Sequence, residues 1–84
     1  MRKHLRVVPC DMPMPLVDCP PGLFLFGIEK EEPTVGIKTE YWTHDPQNLE
    51  VYCVESGEYF WGGVDSKVVR GALLVVPARL EWEN

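Results

Sequence analysis

The chain has 84 residues, of which 45% are hydrophobic and 25% charged, and its formal net charge is -5. This composition is too apolar for a disordered chain, and the length suits one domain with one small core. Because nucleic acids and anionic membranes attract basic surfaces, the excess of carboxylates predicts no direct nucleic-acid binding and no membrane association. We expect a single domain over residues 1–84, with a proline-rich extended segment (1–22) packed on a β core (23–84).

The cysteines and the N-terminus indicate a cytoplasmic protein. The chain has three cysteines without a CxxC motif, and no apolar signal segment follows Met1. The simplest interpretation is free thiols, although Cys10 and Cys19 can approach each other across a short loop and form a disulfide. Their spacing from His4 and His44 matches no common zinc site, so we expect no metal and no cofactor.

In the first half of the chain, apolar runs separated by turn signals predict strands. Residues 4–9 give a short strand, and the prolines that follow, up to Gly22, exclude a helix. The run 23–26 (LFLF) predicts a strand covered on both faces, and 34–42 (TVGIKTEYW) predicts its hairpin partner. Residues 43–48 then form a polar loop.

The stretch 49–63 (LEVYCVESGEYFWGG) predicts a β-hairpin, because two runs rich in valine and aromatic residues flank a serine-glycine pair. With that pair as a two-residue loop, Glu55 lies opposite Glu58 and Tyr52 lies opposite Trp61. Large apolar side chains fall on both sides of this hairpin. The sheet is therefore either covered twice or leaves an aromatic face for a partner.

The C-terminal third predicts a short helix and a last strand. Asp65 and Ser66 are suitable N-caps for a helix over 67–72, and Pro77 interrupts a strand over 73–82, which places that strand at an edge or gives it a bulge. The fold class is mainly β, a twisted antiparallel sheet of four to six strands forming an open barrel or sandwich, with at most one short helix; a small α+β fold is the alternative. The predicted core consists of Phe24, Phe26, Ile37, Val51, Phe60, Leu74 and Val76.

Catalysis has little support in this sequence. The chain has no GxSxG, no HExxH and no phosphate-binding glycine loop. A general base at His44 beside Asp45 is the one enzymatic hypothesis, but a histidine in a polar loop is most often solvated. We therefore predict a protein that is not an enzyme.

Acidic and aromatic side chains around the hairpin are the better functional candidates. Aromatic residues are typical anchors of protein interfaces, and carboxylates beside them suit a basic partner, although aromatic stripes on strands also form cores. The predicted partner-binding residues are Glu40, Trp42, Glu50, Tyr52, Glu55, Glu58, Tyr59 and Trp61.

Three motifs of this sequence, PPGLFLF (20–26), KTEY (38–41) and SGEYFWGG (56–63), resemble those of short proteins carried by bacteriophages and prophages. The resemblance covers about residues 20–80 and implies a bacterial host cell. Small acidic proteins of this kind often inhibit host defence, anti-CRISPR proteins among them, by occupying basic nucleic-acid-binding surfaces, which is an argument by analogy.

Two functions therefore follow as expectations. The first is a non-enzymatic inhibitor that binds a host protein or nucleoprotein complex with a basic surface, of the anti-CRISPR type. The alternative is a structural or oligomerisation module of a phage or prophage, in which the aromatic face or the strand 73–82 pairs with itself to form a homodimer.

Overall fold

The computed structural model describes residues 4–83 and confirms the mainly β class. Six strands form an antiparallel sheet that is not closed, in the order β1-β6-β3-β4-β5, with β2 pairing separately with β6. The elements in chain order are β1 (His4–Pro9), β2 (Met14–Pro15), a 3-10 helix (Leu16–Asp18), β3 (Gly22–Phe26), β4 (Thr34–Lys38), β5 (Val51–Cys53), α1 (Lys67–Gly71) and β6 (Leu74–Glu83). The predicted helix is present, and the hydroxyl of Ser66 caps it by accepting from the backbone N–H of Val69.

The core lies against one face of the sheet and is closed by the 3-10 helix and the hairpin. Its centre is a group of aromatic rings: Phe60 meets Phe24 edge to face at 5.3 Å and Phe26 at 5.2 Å between ring centroids. The buried members of this cluster are Leu16, Cys19, Phe24, Leu49, Val51, Phe60 and Val75. The proline-rich segment thus supplies core residues as well as two strands.

The last strand runs without interruption through Pro77 and is central, so the predicted interruption and edge position are wrong. β6 pairs with β1 on one side and with β3 on the other, and Pro77 lies within it opposite Phe24. Proline is tolerated here because the N and O of a strand residue point to the same side. The carbonyl of Pro77 accepts from the backbone N–H of Cys10, one residue beyond β1, so the donor that proline lacks falls at the end of the β1–β6 ladder and not within it.

The predicted strand 34–42 ends at Lys38, whose side chain is 1% exposed. Its ammonium Nζ lies 2.8 Å from the carbonyl oxygen of Leu16, 3.2 Å from that of Val17 and within hydrogen-bond distance of that of Cys19. These carbonyls belong to the 3-10 helix and its end, where backbone acceptors lack ladder partners. The cation therefore joins β4 to the proline-rich segment, and burial lowers the pKa of Lys38.

Two predicted core residues are exposed, Ile37 by 41% and Leu74 by 64%. Side chains alternate between the faces of a strand, so the burial of Lys38 and of Val75 turns their neighbours outward. Phe24, Val51, Phe60 and Val76 are buried as predicted, and Phe26 is half-buried. At Ile37 a lysine takes the inward position that sequence reasoning assigns to the isoleucine, and at Leu74 the neighbouring Val75 takes it.

One part of the sheet is a two-stranded arm that pairs with no other strand. Here β1 (4–9) pairs only with the C-terminal half of β6 (78–83), in the register Leu5 to Trp82 and Val7 to Leu80. The molecule measures 45 × 25 × 25 Å along its principal axes. We refer to residues 4–9 and 78–83 as the arm.

Candidate protein-binding site

The hairpin 49–63 is present, but its predicted register is wrong by two residues. Tyr52 pairs with Tyr59 in a single bridge, and the backbone N–H of Cys53 donates to the carbonyl of Glu58. The connection is therefore a four-residue turn over 54–57, closed by a hydrogen bond from Gly57 to Cys53. A shift of two residues keeps every side chain on its predicted face.

The corrected register brings three predicted site residues together as an aromatic patch, which we define as Tyr52, Tyr59 and Trp61. The rings of Tyr52 and Tyr59 meet edge to face at 5.8 Å, and those of Tyr59 and Trp61 lie 5.3 Å apart. Trp61 is 40% exposed, while the two tyrosines are half-buried. The hydroxyl of Tyr59 donates to the carbonyl of Leu49 at 3.0 Å, which fixes the middle ring.

Arg70 of α1 supports the aromatic patch from below and is 0% exposed. Its guanidinium carbon lies 4.7 Å from the ring centre of Tyr59 and 5.5 Å from that of Trp61. Two of its nitrogens donate to backbone carbonyls, Nη1 to Phe60 at 3.1 Å and Nη2 to Leu49 at 2.9 Å. One side chain therefore ties the two ends of the hairpin together and holds two rings by cation-π contact.

The carboxylates predicted for the site occupy different positions. Glu55 and Glu58 are exposed at the hairpin turn, and with the corrected register they no longer face each other. Glu50 is half-buried, and its carboxylate accepts from the hydroxyl of Thr39 at 3.3 Å. The acidic turn at the tip of the hairpin therefore consists of Glu55 and Glu58.

Glu40 and Trp42 follow the end of β4 in an exposed turn. Trp42 is 63% exposed and has a backbone φ of 57°, the left-handed region that non-glycine residues seldom occupy. Within residues 4–83, no aromatic contact joins Trp42 to the aromatic patch. The structure thus separates these two predicted residues from the other aromatic anchors.

The histidine and cysteine candidates form no cluster. The carboxylate of Asp45 accepts from the amide of Asn48 at 2.7 Å and from the backbone N–H of Gln47 at 3.0 Å, and the hydrogen bond from Asn48 is the largest cause that lowers the pKa of Asp45. It therefore orders its own turn. The three cysteines are free thiols, and in residues 4–83 no three His, Cys, Asp or Glu side chains are placed to hold a metal ion.

No protein-family model matches the chain, and comparisons with the curated proteins and with the solved structures find no similar protein. Among residues 4–83, no helix is long and apolar enough to cross a membrane.

Sequence reasoning missed the role of Arg70 in holding the hairpin and its rings. In the sequence it is only one basic residue in a short predicted helix. No local signal identifies it, because the carbonyls that it binds are 10 and 21 residues away. It also missed the pairing of the two strands of the arm, although the sequence of the second strand contains a signal for its apolar face. Leu80 and Trp82 alternate with charged residues, which is typical of a strand with one apolar face.

Proposed function

We propose that this chain is a non-enzymatic inhibitor of phage or prophage origin that acts in the cytoplasm of a bacterial host. It binds a host nucleoprotein complex through the aromatic patch and the acidic turn, and thereby covers a basic nucleic-acid-binding surface. Inhibition of a CRISPR complex is the form of this function that we propose. The chain itself binds no nucleic acid and needs no cofactor.

The observation that carries the proposal is the aromatic patch, in which the ring of Tyr59 contacts those of Tyr52 and Trp61 at the surface. Interface anchors are commonly tyrosine and tryptophan held in a fixed orientation before binding, which reduces the entropy lost on association. Arg70 and the Tyr59 hydroxyl provide that rigidity here. The exposed Glu55 and Glu58, at the turn that joins the two strands of the hairpin, supply the negative charge that a basic partner requires.

The test is capture of host proteins on the immobilised chain at low and at high salt, followed by assay of the captured complex for nucleic-acid binding. We expect capture of a complex whose nucleic-acid binding the chain inhibits. Trp61→Ser should stay folded, because Trp61 is 40% exposed, and should weaken capture by ~2 kcal/mol, about 30-fold. Glu58→Lys should slow association mainly at low salt.

Trp82→Ser is the matched control, since Trp82 is also exposed but lies on the arm. This variant should leave capture of the host complex unchanged. Recovery of no complex at either salt would count against the proposal, and so would equal capture by Glu58→Lys and wild type at low salt. The alternative function, an oligomerisation module, predicts no inhibition of a host complex.

A further inference from the structure

The arm has two chemically different faces. Directly opposed residues of an antiparallel pair point to the same side, so Leu5 and Trp82 share one face with the pair Val7 and Leu80. The other face carries the ionic side chains, in which Arg6 pairs with Glu83 and Arg79 pairs with Glu81, each at 2.6 Å. We refer to the face that carries Leu5, Val7, Leu80 and Trp82 as the apolar face of the arm.

This apolar face is open to solvent over most of its length. Leu5 is 49% exposed, Leu80 51% and Trp82 69%. These three side chains present on the order of 300 Å² of apolar surface, comparable to the largest patch of a typical monomer. A two-stranded ribbon alone is marginally stable in water, so such a face gains from being covered.

A cleft of about 660 Å³ adjoins the base of the apolar face. Val7 lines it from the arm, and Pro33, Val35, Cys53 and Val54 line it from the far strands and the hairpin turn, together with the polar residues Glu32, Thr34, Glu55 and Ser56. A cavity of this volume is several times larger than an indole side chain. Because Val7 is two residues from Leu5, the cleft begins about 7 Å along the strand from the tryptophan at the arm's tip.

The charge distribution favours a second copy of this chain as the occupant. The arm carries two arginines and two glutamates and is neutral, whereas all the other carboxylates lie between Asp11 and Asp65 in the body. Two acidic bodies repel, but two arms that meet bring paired charges together, and the indole that enters the cleft carries no charge against Glu32 and Glu55. Twofold packing also places the tip of each arm over the base of the other.

We propose that two copies associate through the apolar faces of their arms, with Trp82 of each copy entering the cleft beside Val7 of the other. The three exposed side chains of both copies together bury on the order of 600 Å², and the cleft and the backbone of the arms raise this toward the ~1,200 Å² at the lower limit of specific interfaces. The dimer is therefore weak, with a dissociation constant of about micromolar order. This inference does not rest on the proposed inhibitory function, although the cleft and the acidic turn share Glu55.

Sedimentation velocity from about 1 to 200 μM tests the proposal, and the relevant variants are Trp82→Ser, Leu80→Glu and Trp61→Ser. We expect wild type and Trp61→Ser to dimerise alike. Trp82→Ser and Leu80→Glu should weaken dimerisation at least ~10-fold without loss of folded structure, since both side chains are exposed. Higher salt should strengthen dimerisation, because it screens the repulsion between the acidic bodies.

A spectroscopic measurement reports on Trp82 directly. The chain has three tryptophans, so Trp42→Phe with Trp61→Phe leaves Trp82 as the only one, and its emission should move to shorter wavelength as the protein concentration rises. A wild type that stays monomeric at 200 μM in high salt overturns the proposal. Dimerisation that survives Trp82→Ser overturns the proposal as well, whatever the result for Trp61→Ser.

Discussion

Arg70 is the residue whose removal tests this structure most directly, because it joins the helix, both ends of the hairpin and the aromatic patch. In Arg70→Met, the carbonyls of Leu49 and Phe60 lose their guanidinium donor. The carbonyl of Leu49 keeps the hydroxyl of Tyr59, whereas that of Phe60 loses a partner in the interior. We therefore expect the variant to unfold more easily.

The size of the effect follows from these contacts. Two hydrogen bonds from a charged donor contribute roughly 1.5–3 kcal/mol each, and the cation-π contacts add about 1 kcal/mol. Relief from burying a cation, whose Nε makes no hydrogen bond within residues 4–83, offsets part of this loss. The net cost is about 2–4 kcal/mol, a large part of the roughly 4–12 kcal/mol that a domain of 84 residues can have.

Urea unfolding followed by tryptophan fluorescence and by circular dichroism measures this loss. Lys67→Met is the matched control, because Lys67 is an exposed cation on the same helix and should change stability by less than about 0.5 kcal/mol. Arg70→Lys keeps the charge but not the fork that reaches two carbonyls, and should cost about 1–2 kcal/mol. If Arg70→Met were as stable as Lys67→Met, the support that we assign to Arg70 would be refuted.

Three further predictions concern β4. Lys38→Met removes the ammonium donor from the carbonyls of Val17 and Cys19, while that of Leu16 keeps the N–H of Cys19, and should cost about 2 kcal/mol or more by urea unfolding; Lys30→Met, at an exposed position, should be neutral. Because burial lowers the pKa of Lys38 below 10.5, the folded protein releases this proton at a lower pH than the unfolded chain, so wild type should gain stability relative to Lys38→Met as the pH rises toward 10.5; a constant difference would contradict this. In Gly36→Ala the new Cβ would lie 2.2 Å from the ring of Phe24, so the melting temperature should fall as expected for a loss of ~1–3 kcal/mol, and an unchanged value would show that this contact is absent.

Local signals account for the elements that the sequence predicts correctly. The serine N-cap identifies α1, and the apolar run 23–26 identifies a strand that has neighbours on both sides. The central place of β6 is not predictable in the same way, because Pro77 is acceptable only where β1 ends, which depends on long-range pairing. The hairpin register fails for a related reason, since Gly57 at φ 73° fits both a two-residue loop and the observed four-residue turn.

The two buried cations also connect the fold to the proposed partner. Irregular segments expose backbone carbonyls that no strand can satisfy, and here Lys38 and Arg70 supply the donors from within the core. Two more cations, Arg6 and Arg79, pair with glutamates on the arm. Among residues 4–83 this leaves Lys30 and Lys67 as the exposed cations of the body, against all the carboxylates between Asp11 and Asp65. The body surface is therefore more acidic than the formal charge of -5 indicates, which supports the proposed basic partner.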